Sequence, residues 1–156
     1  MKINSIYFSP CGNVRKVIRA ISEAAASFFE CDINYFDITS LKSRSNVKIP
    51  ELDGDSLNFV GFPVFAGRIP NKIMPYAREN IKGDGLFFPF VAYGNRNYDD
   101  ALLELSTIIS ENGGKILGAM AVPTEHSFSE RLGQYRPDYE DISEIKSYSE
   151  NIFKKR

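Results

Sequence analysis

The chain has 156 residues, 43% of them apolar and 25% charged, which is the size and balance of one ordinary globular domain. Nineteen Lys and Arg against 20 Asp and Glu leave a formal charge of -1, too little basic field to gather nucleic-acid phosphates or to hold an anionic membrane. Two cysteines, Cys11 and Cys31, outside any C-x-x-C pair and a single histidine leave too few ligands for a zinc site or an iron-sulfur cluster.

In chain order, Lys2 to Phe8 reads as a strand stopped at Ser9-Pro10-Cys11-Gly12. Val14, Val17, Ile18, Ile21, Ala24, Ala25 and Phe28 then mark one face of a helix over residues 13–29. Cys31 to Ile38 and Ser56 to Phe62 read as strands, separated by a weakly patterned stretch, Ser40 to Asp55, with room for a short helix from Leu41. Pro70 suits a first helical turn, so a helix is expected from there to about Ile81. Gly85 to Tyr93 is nearly continuous in apolar residues, as a strand covered on both faces should be. Ala101, Leu102, Leu105, Ile108 and Ile109 stripe a helix closed by Asn112-Gly113-Gly114. Lys115 to Val122 is the expected fifth strand, and Asp138 caps a last helix carrying Ile142, Ile145, Tyr148 and Ile152.

Leu86 to Ala92, the longest mostly apolar run, is broken by Pro89 and falls far short of the roughly 20 residues of a membrane span. Met1 to Asn4 opens no signal peptide, so the expectation is a cytoplasmic protein with no membrane and no nucleic-acid partner. No repeat or linker divides residues 1–156, which read as a single domain. Strand and helix alternate throughout, and that implies a parallel sheet with helices on both faces. Ligands of such sheets sit beyond the carboxyl ends of the strands, which directs attention to residues 9–14, 63–69, 93–99 and 123–129.

Ser9, Cys11, Gly12, Asn13 and Val14 lie between the first strand and the first helix, where unpaired amides and the helix dipole favour an anion; Ser9 or Asn13 could equally serve as a plain helix cap. The loop is neither a Walker A motif nor a G-x-G-x-x-G fingerprint. A cysteine phosphatase would need arginine six residues after Cys11, where Val17 stands; a phospho-acceptor domain would need carboxylates at Ser9-Pro10 and Phe62-Pro63. A serine hydrolase lacks its G-x-S-x-G elbow. Pro63 to Arg68 and Tyr93 to Asp99 instead bring aromatic and small residues to neighbouring strand ends, where Phe65 and Tyr98 could face a flat ring and Ala66, Gly67 and Gly94 could let backbone approach its heteroatoms.

With Ser9-Pro10-Cys11-Gly12-Asn13-Val14 standing for the phosphate-loop pattern S/T-x-T-G-x-T, the chain resembles a flavodoxin. Segments 61–70, 93–102 and 125–129 are similar to the flavodoxin half of fused flavodoxin-ferredoxin proteins, and the resemblance covers essentially the whole chain. It implies a flavodoxin-like, doubly wound, five-stranded parallel sheet of order 2-1-3-4-5 that binds FMN and passes electrons between redox partners, such as a separate ferredoxin. It also implies a phosphate site at Ser9 to Val14, with Pro63, Val64, Phe65, Ala66 and Gly67 against one ring face. Tyr93, Gly94, Asn95 and Tyr98 would lie against the other face. An NAD(P)H-dependent FMN or quinone reductase and a flavin-free interaction domain are the alternatives. Cys11 and Val14 replace two usual threonines, so weakened FMN binding is expected. Arg68 and Arg96 fall in the flavin loops, where a charge roughly 5 Å from the ring would favour the reduced anion by about 3 kcal/mol. Glu125 and His126 are candidates for hydrogen bonding near the flavin.

Overall fold

The computed structural model describes residues 1–94, 97–125 and 135–156. Its strands are β1 (Lys2–Tyr7), β2 (Ile33–Asp37), β3 (Ser56–Pro63), β4 (Leu86–Tyr93), β5 (Lys115–Ile116) and β6 (Met120–Pro123). The helices are α1 (Asn13–Phe29), α2 (Leu41–Asn46), α3 (Met74–Asn80), α4 (Ala101–Glu111) and α5 (Tyr139–Phe153). All strand pairs are parallel and run in the order β2-β1-β3-β4-β5, with β6 also on β4. The expected doubly wound sheet is therefore present.

Alternation along the central strands divides the core in two. Ile3, Phe59, Phe88 and Phe90 pack with α1 and with Ile145 and Phe153 of α5. Ile6, Val60, Phe62, Phe87 and Val91 pack on the other face with Ala77 of α3 and Leu105, Ile108 and Ile109 of α4. Polar groups inside these layers are paired. The hydroxyls of Ser5 and Ser22 lie 2.6 Å apart, and Asn4 donates to Asn58 at 2.8 Å while accepting from Asn34. Asn34, Asn4 and Asn58 are register partners across β2, β1 and β3. A one-residue slip would take these partners from the buried amides of Asn4 and Asn58, so the ladder helps fix the register.

α1 begins and ends where its apolar spacing places it, although Phe28 lies at the margin of its stripe, 42% exposed against Phe29 and Phe153. Asp138 caps α5 with a reciprocal bond to Asp141. Two expectations need correction. Pro70 does not open α3: its carbonyl accepts from Ile73 and Met74 in a preceding turn, and the proline in the helix's first turn is Pro75. The stretch Lys115 to Val122 is not one strand. Phe87 pairs Ile116 and Phe90 pairs Met120, so three residues on the edge, Leu117 to Ala119, oppose two on β4: a bulge. Phe87 and Tyr93 turn their carbonyls toward this edge, accepting from Leu117 and Thr124. Pro89, two residues after Phe87, would have aimed its missing N–H to the same side. The edge thus breaks where β4 offers no donor, and Gly118 fits there because a Cβ would stand 2.9 Å from Ile152 of α5.

Candidate functional site

Four segments converge at the carboxyl edge of the sheet: those following β1, β3, β4 and β6. They enclose a cleft of about 670 Å³ lined by Ser9, Pro10, Cys11, Asn13, Val14, Pro63, Val64, Phe65, Ala66, Gly67, Ala92, Gly94, Asn97, Asp99, Thr124 and Glu125. That volume suits a ligand of coenzyme size.

The first wall is the start of α1. Gly12 takes φ 84°, a left-handed position that turns the chain into the helix. The Ser9 hydroxyl accepts from the Arg15 N–H at 3.0 Å, and the Ser9 N–H donates to Thr39 Oγ1 at 3.0 Å. Ser9 therefore does cap the helix, yet its hydroxyl proton is left for another acceptor. The first-turn amides of Asn13 and Val14 have no acceptor within the helix. Val14 is buried, its side chain part of the core between α1 and the sheet. Asn13 Nδ2 donates to the Glu125 carbonyl at 3.3 Å and so ties this loop to the end of β6. Tyr7, buried at the end of β1, has its phenol pushed above the ordinary value by burial and then by Asp37.

The second wall is a tight hairpin. Phe65 and Arg68 exchange backbone bonds of 2.8 and 3.1 Å around Ala66 and Gly67, whose φ angles are 51° and 75°. Positive φ at both central residues is the type I′ turn. Phe65 is half-exposed beside it. A Cβ on Gly67 would stand 2.4 Å from Asp99 Oδ2, so the glycine serves both the turn and the approach of the third wall. That third wall includes Gly94, Asn97 and Asp99, and Asn97 accepts from the Asp99 N–H at 3.0 Å. Val64 donates to Ala92 and Thr124 to Tyr93, knitting the strand ends under the cleft.

Several sequence candidates stand elsewhere. Gly12, Tyr93 and Tyr98 are not among the lining residues. Tyr98 leans edge-on against Tyr93, ring centroids 5.3 Å apart. Asn95, Arg96 and His126 lie outside the described residues. Arg68 is drawn away to α4, where its Nε and Nη2 reach Glu104 at 2.9 and 2.5 Å. Its charge is compensated there, so the stabilisation of a reduced anion expected from Arg68 does not apply. The charged residues that the described lining does contain are Asp99 and Glu125, both acidic. Asn97, Asp99 and Thr124 were not singled out as site residues from sequence; for Asp99 the signal was a glycine at Gly67 that needs space as well as conformational freedom. Among the described residues no group of three or more His, Cys, Asp or Glu side chains could hold a metal ion, and no helix is long and apolar enough to cross a membrane.

The sequence matches no family model and no curated protein. Known structures do match. A flavodoxin from the domain Archaea superposes with a TM-score of 0.69 at 18% identity, covering 99% of this chain and 98% of that one. The fold is that of the flavodoxins. Flavodoxin 2 from Bacillus cereus matches with a TM-score of 0.68 at 14% identity over 100% of both chains. Part of a longer protein, rubredoxin oxygen:oxidoreductase from Desulfovibrio gigas, also matches: 98% of this chain and 35% of that one, with a TM-score of 0.65 at 13% identity.

Proposed function

We propose that the cleft binds FMN and that the protein carries electrons between redox protein partners in the cytoplasm. The observation carrying this reading is the convergence on one cleft of a helix start suited to an anion, a half-exposed aromatic and a turn whose two central residues are alanine and glycine. In this reading the Ser9 hydroxyl and the Cys11, Asn13 and Val14 amides hold the phosphate, with Gly12 setting their direction. Pro63 to Gly67 lie along one side of the ring, and Gly94 with Asn97 and Asp99 along the other. Tyr93 and Tyr98 pack on each other beside that second wall.

Bound FMN supplies the electron chemistry, while the protein supplies position and field. Asp99 and Glu125 oppose added negative charge in the cleft and therefore bias the site toward giving electrons up. The segments similar to fused flavodoxin-ferredoxin proteins favour a cluster-bearing partner such as a separate ferredoxin. Titrating the apoprotein with FMN tests the reading through quenching of flavin fluorescence, with about one flavin bound per chain. No quenching at roughly 100 μM protein refutes it. NAD(P)H oxidation with quinone acceptors at many turnovers per second would identify a reductase instead.

A further inference from the structure

The anion end of the cleft is poorer in donors than its position in the fold suggests. Cys11 and Val14 bring no hydroxyl, and Val14 is turned into the core. One amide proton of Asn13 is engaged by the Glu125 carbonyl. The Ser9 hydroxyl, itself accepting from Arg15, is the loop's one side-chain O–H. The bond from Asn13 also brings the backbone of an acidic residue, Glu125, to this end of the cleft. Glu125 is anchored on both sides of its backbone, its carbonyl on Asn13 and its N–H on the Arg136 carbonyl at 2.9 Å. Glu125 is exposed and lines the cleft, and no described lining residue is basic.

Resting on the FMN reading above, we propose that Glu125 is a specificity-determining residue that offsets the attraction of the α1 N-terminus for phosphate. The site then takes unphosphorylated riboflavin nearly as well as FMN and holds flavin as an exchangeable ligand. The α1 dipole places about half a positive charge at the loop. A phosphate monoester carries about -1.5 to -2 at neutral pH, so a carboxylate carried on a backbone tied to this loop removes part of that gain. Riboflavin has no charge at this position and is indifferent to Glu125. Asp99, beside Gly67 at the turn, acts on both flavins alike.

The test compares FMN and riboflavin affinities by fluorescence titration for the unaltered protein, Glu125→Gln and Asp99→Asn, at low and high salt. The unaltered protein should prefer FMN by no more than about tenfold. Glu125→Gln should tighten FMN binding at least about threefold and leave riboflavin within about twofold, and the FMN gain should shrink at high salt. The amide keeps both backbone anchors, so folding is retained. Asp99→Asn should move the two flavins in parallel. A thousandfold preference for FMN in the unaltered protein, equal shifts for both flavins in Glu125→Gln, or an FMN-selective gain in Asp99→Asn would each overturn the assignment. In those cases flavin still binds and the proposed function stands; binding of neither flavin overturns both.

Discussion

Gly67→Ala perturbs the cleft at one backbone position, and its cost can be worked from two separate causes. Gly67 has φ 75°, where an alanine pays about 1–2 kcal/mol. The new methyl would also stand 2.4 Å from Asp99 Oδ2 and 3.1 Å from Asp99 Cβ. The exposed carboxylate can swing aside, but Asp99 Cβ is held by a backbone at φ 43° and by the bond from its N–H to Asn97. Such overpacking adds about 1–3 kcal/mol, less here because the neighbour is exposed. A total near 2–4 kcal/mol, with a urea slope of about 2 kcal/mol/M, lowers the unfolding midpoint by about 1–2 M. The neighbouring position should respond with the opposite sign. Ala66 already sits at φ 51°, and Ala66→Asn creates the Asn-Gly pair that the type I′ turn prefers, raising stability by about 0.5–1 kcal/mol. Urea unfolding of both variants decides the matter. Gly67→Ala tolerated within about 0.5 kcal/mol, or Ala66→Asn destabilising, would refute the turn assignment and the contact with Asp99.

Cys11→Thr should tighten FMN binding about tenfold or more and riboflavin binding hardly at all, since the added hydroxyl is one more donor for a phosphate that riboflavin lacks; equal gains in parallel titrations would remove the phosphate from this loop. Gly61→Ala should cost about 3 kcal/mol, because a Cβ would stand 2.2 Å from Phe90 Cζ, and Phe90→Val in the same chain should recover part of the loss in a denaturation cycle. Asp141 is held below the ordinary carboxylate range first by its hydrogen bond from Arg136, so its contribution is complete above about pH 4 and is lost as pH falls through its folded pKa. Asp141→Asn should therefore lower stability at neutral pH by about 1–3 kcal/mol and flatten the acid limb of a stability-pH curve, and an unchanged limb would contradict the pairing.

What could be read beforehand was local. The stripe from Val14 to Ala25 fixes α1 because burying it requires a helix, and Asp138 announces α5 because an aspartate before a helix finds its amides within three residues. What escaped depends on partners distant in sequence. Pro70 and Pro75 both satisfy the geometry of a helical first turn, and only the bonds around Ile73 and Met74 select the second. The pairing of Arg68 with Glu104 spans 36 residues. Tyr98 has an aromatic neighbour in Tyr93, and ring-on-ring packing at 5.3 Å competes with a place in the cleft wall. The cleft loops themselves were legible because topology alone assigns them to one edge of the sheet.

The bulge opposite Pro89 also bears on how this protein meets other copies of itself. An exposed strand edge is a template for another chain only if its free N–H and C=O groups keep one register over several residues. β5 offers two residues and β6 four, with a step between them and Pro123 at the end. An incoming strand aligned on Lys115 and Ile116 is out of step by Met120. This side of the sheet therefore resists strand addition even when the surrounding helices loosen. β2, five residues without proline or bulge, lies at the opposite edge. Strand-mediated self-association of the partly unfolded protein should accordingly begin at Ile33–Asp37.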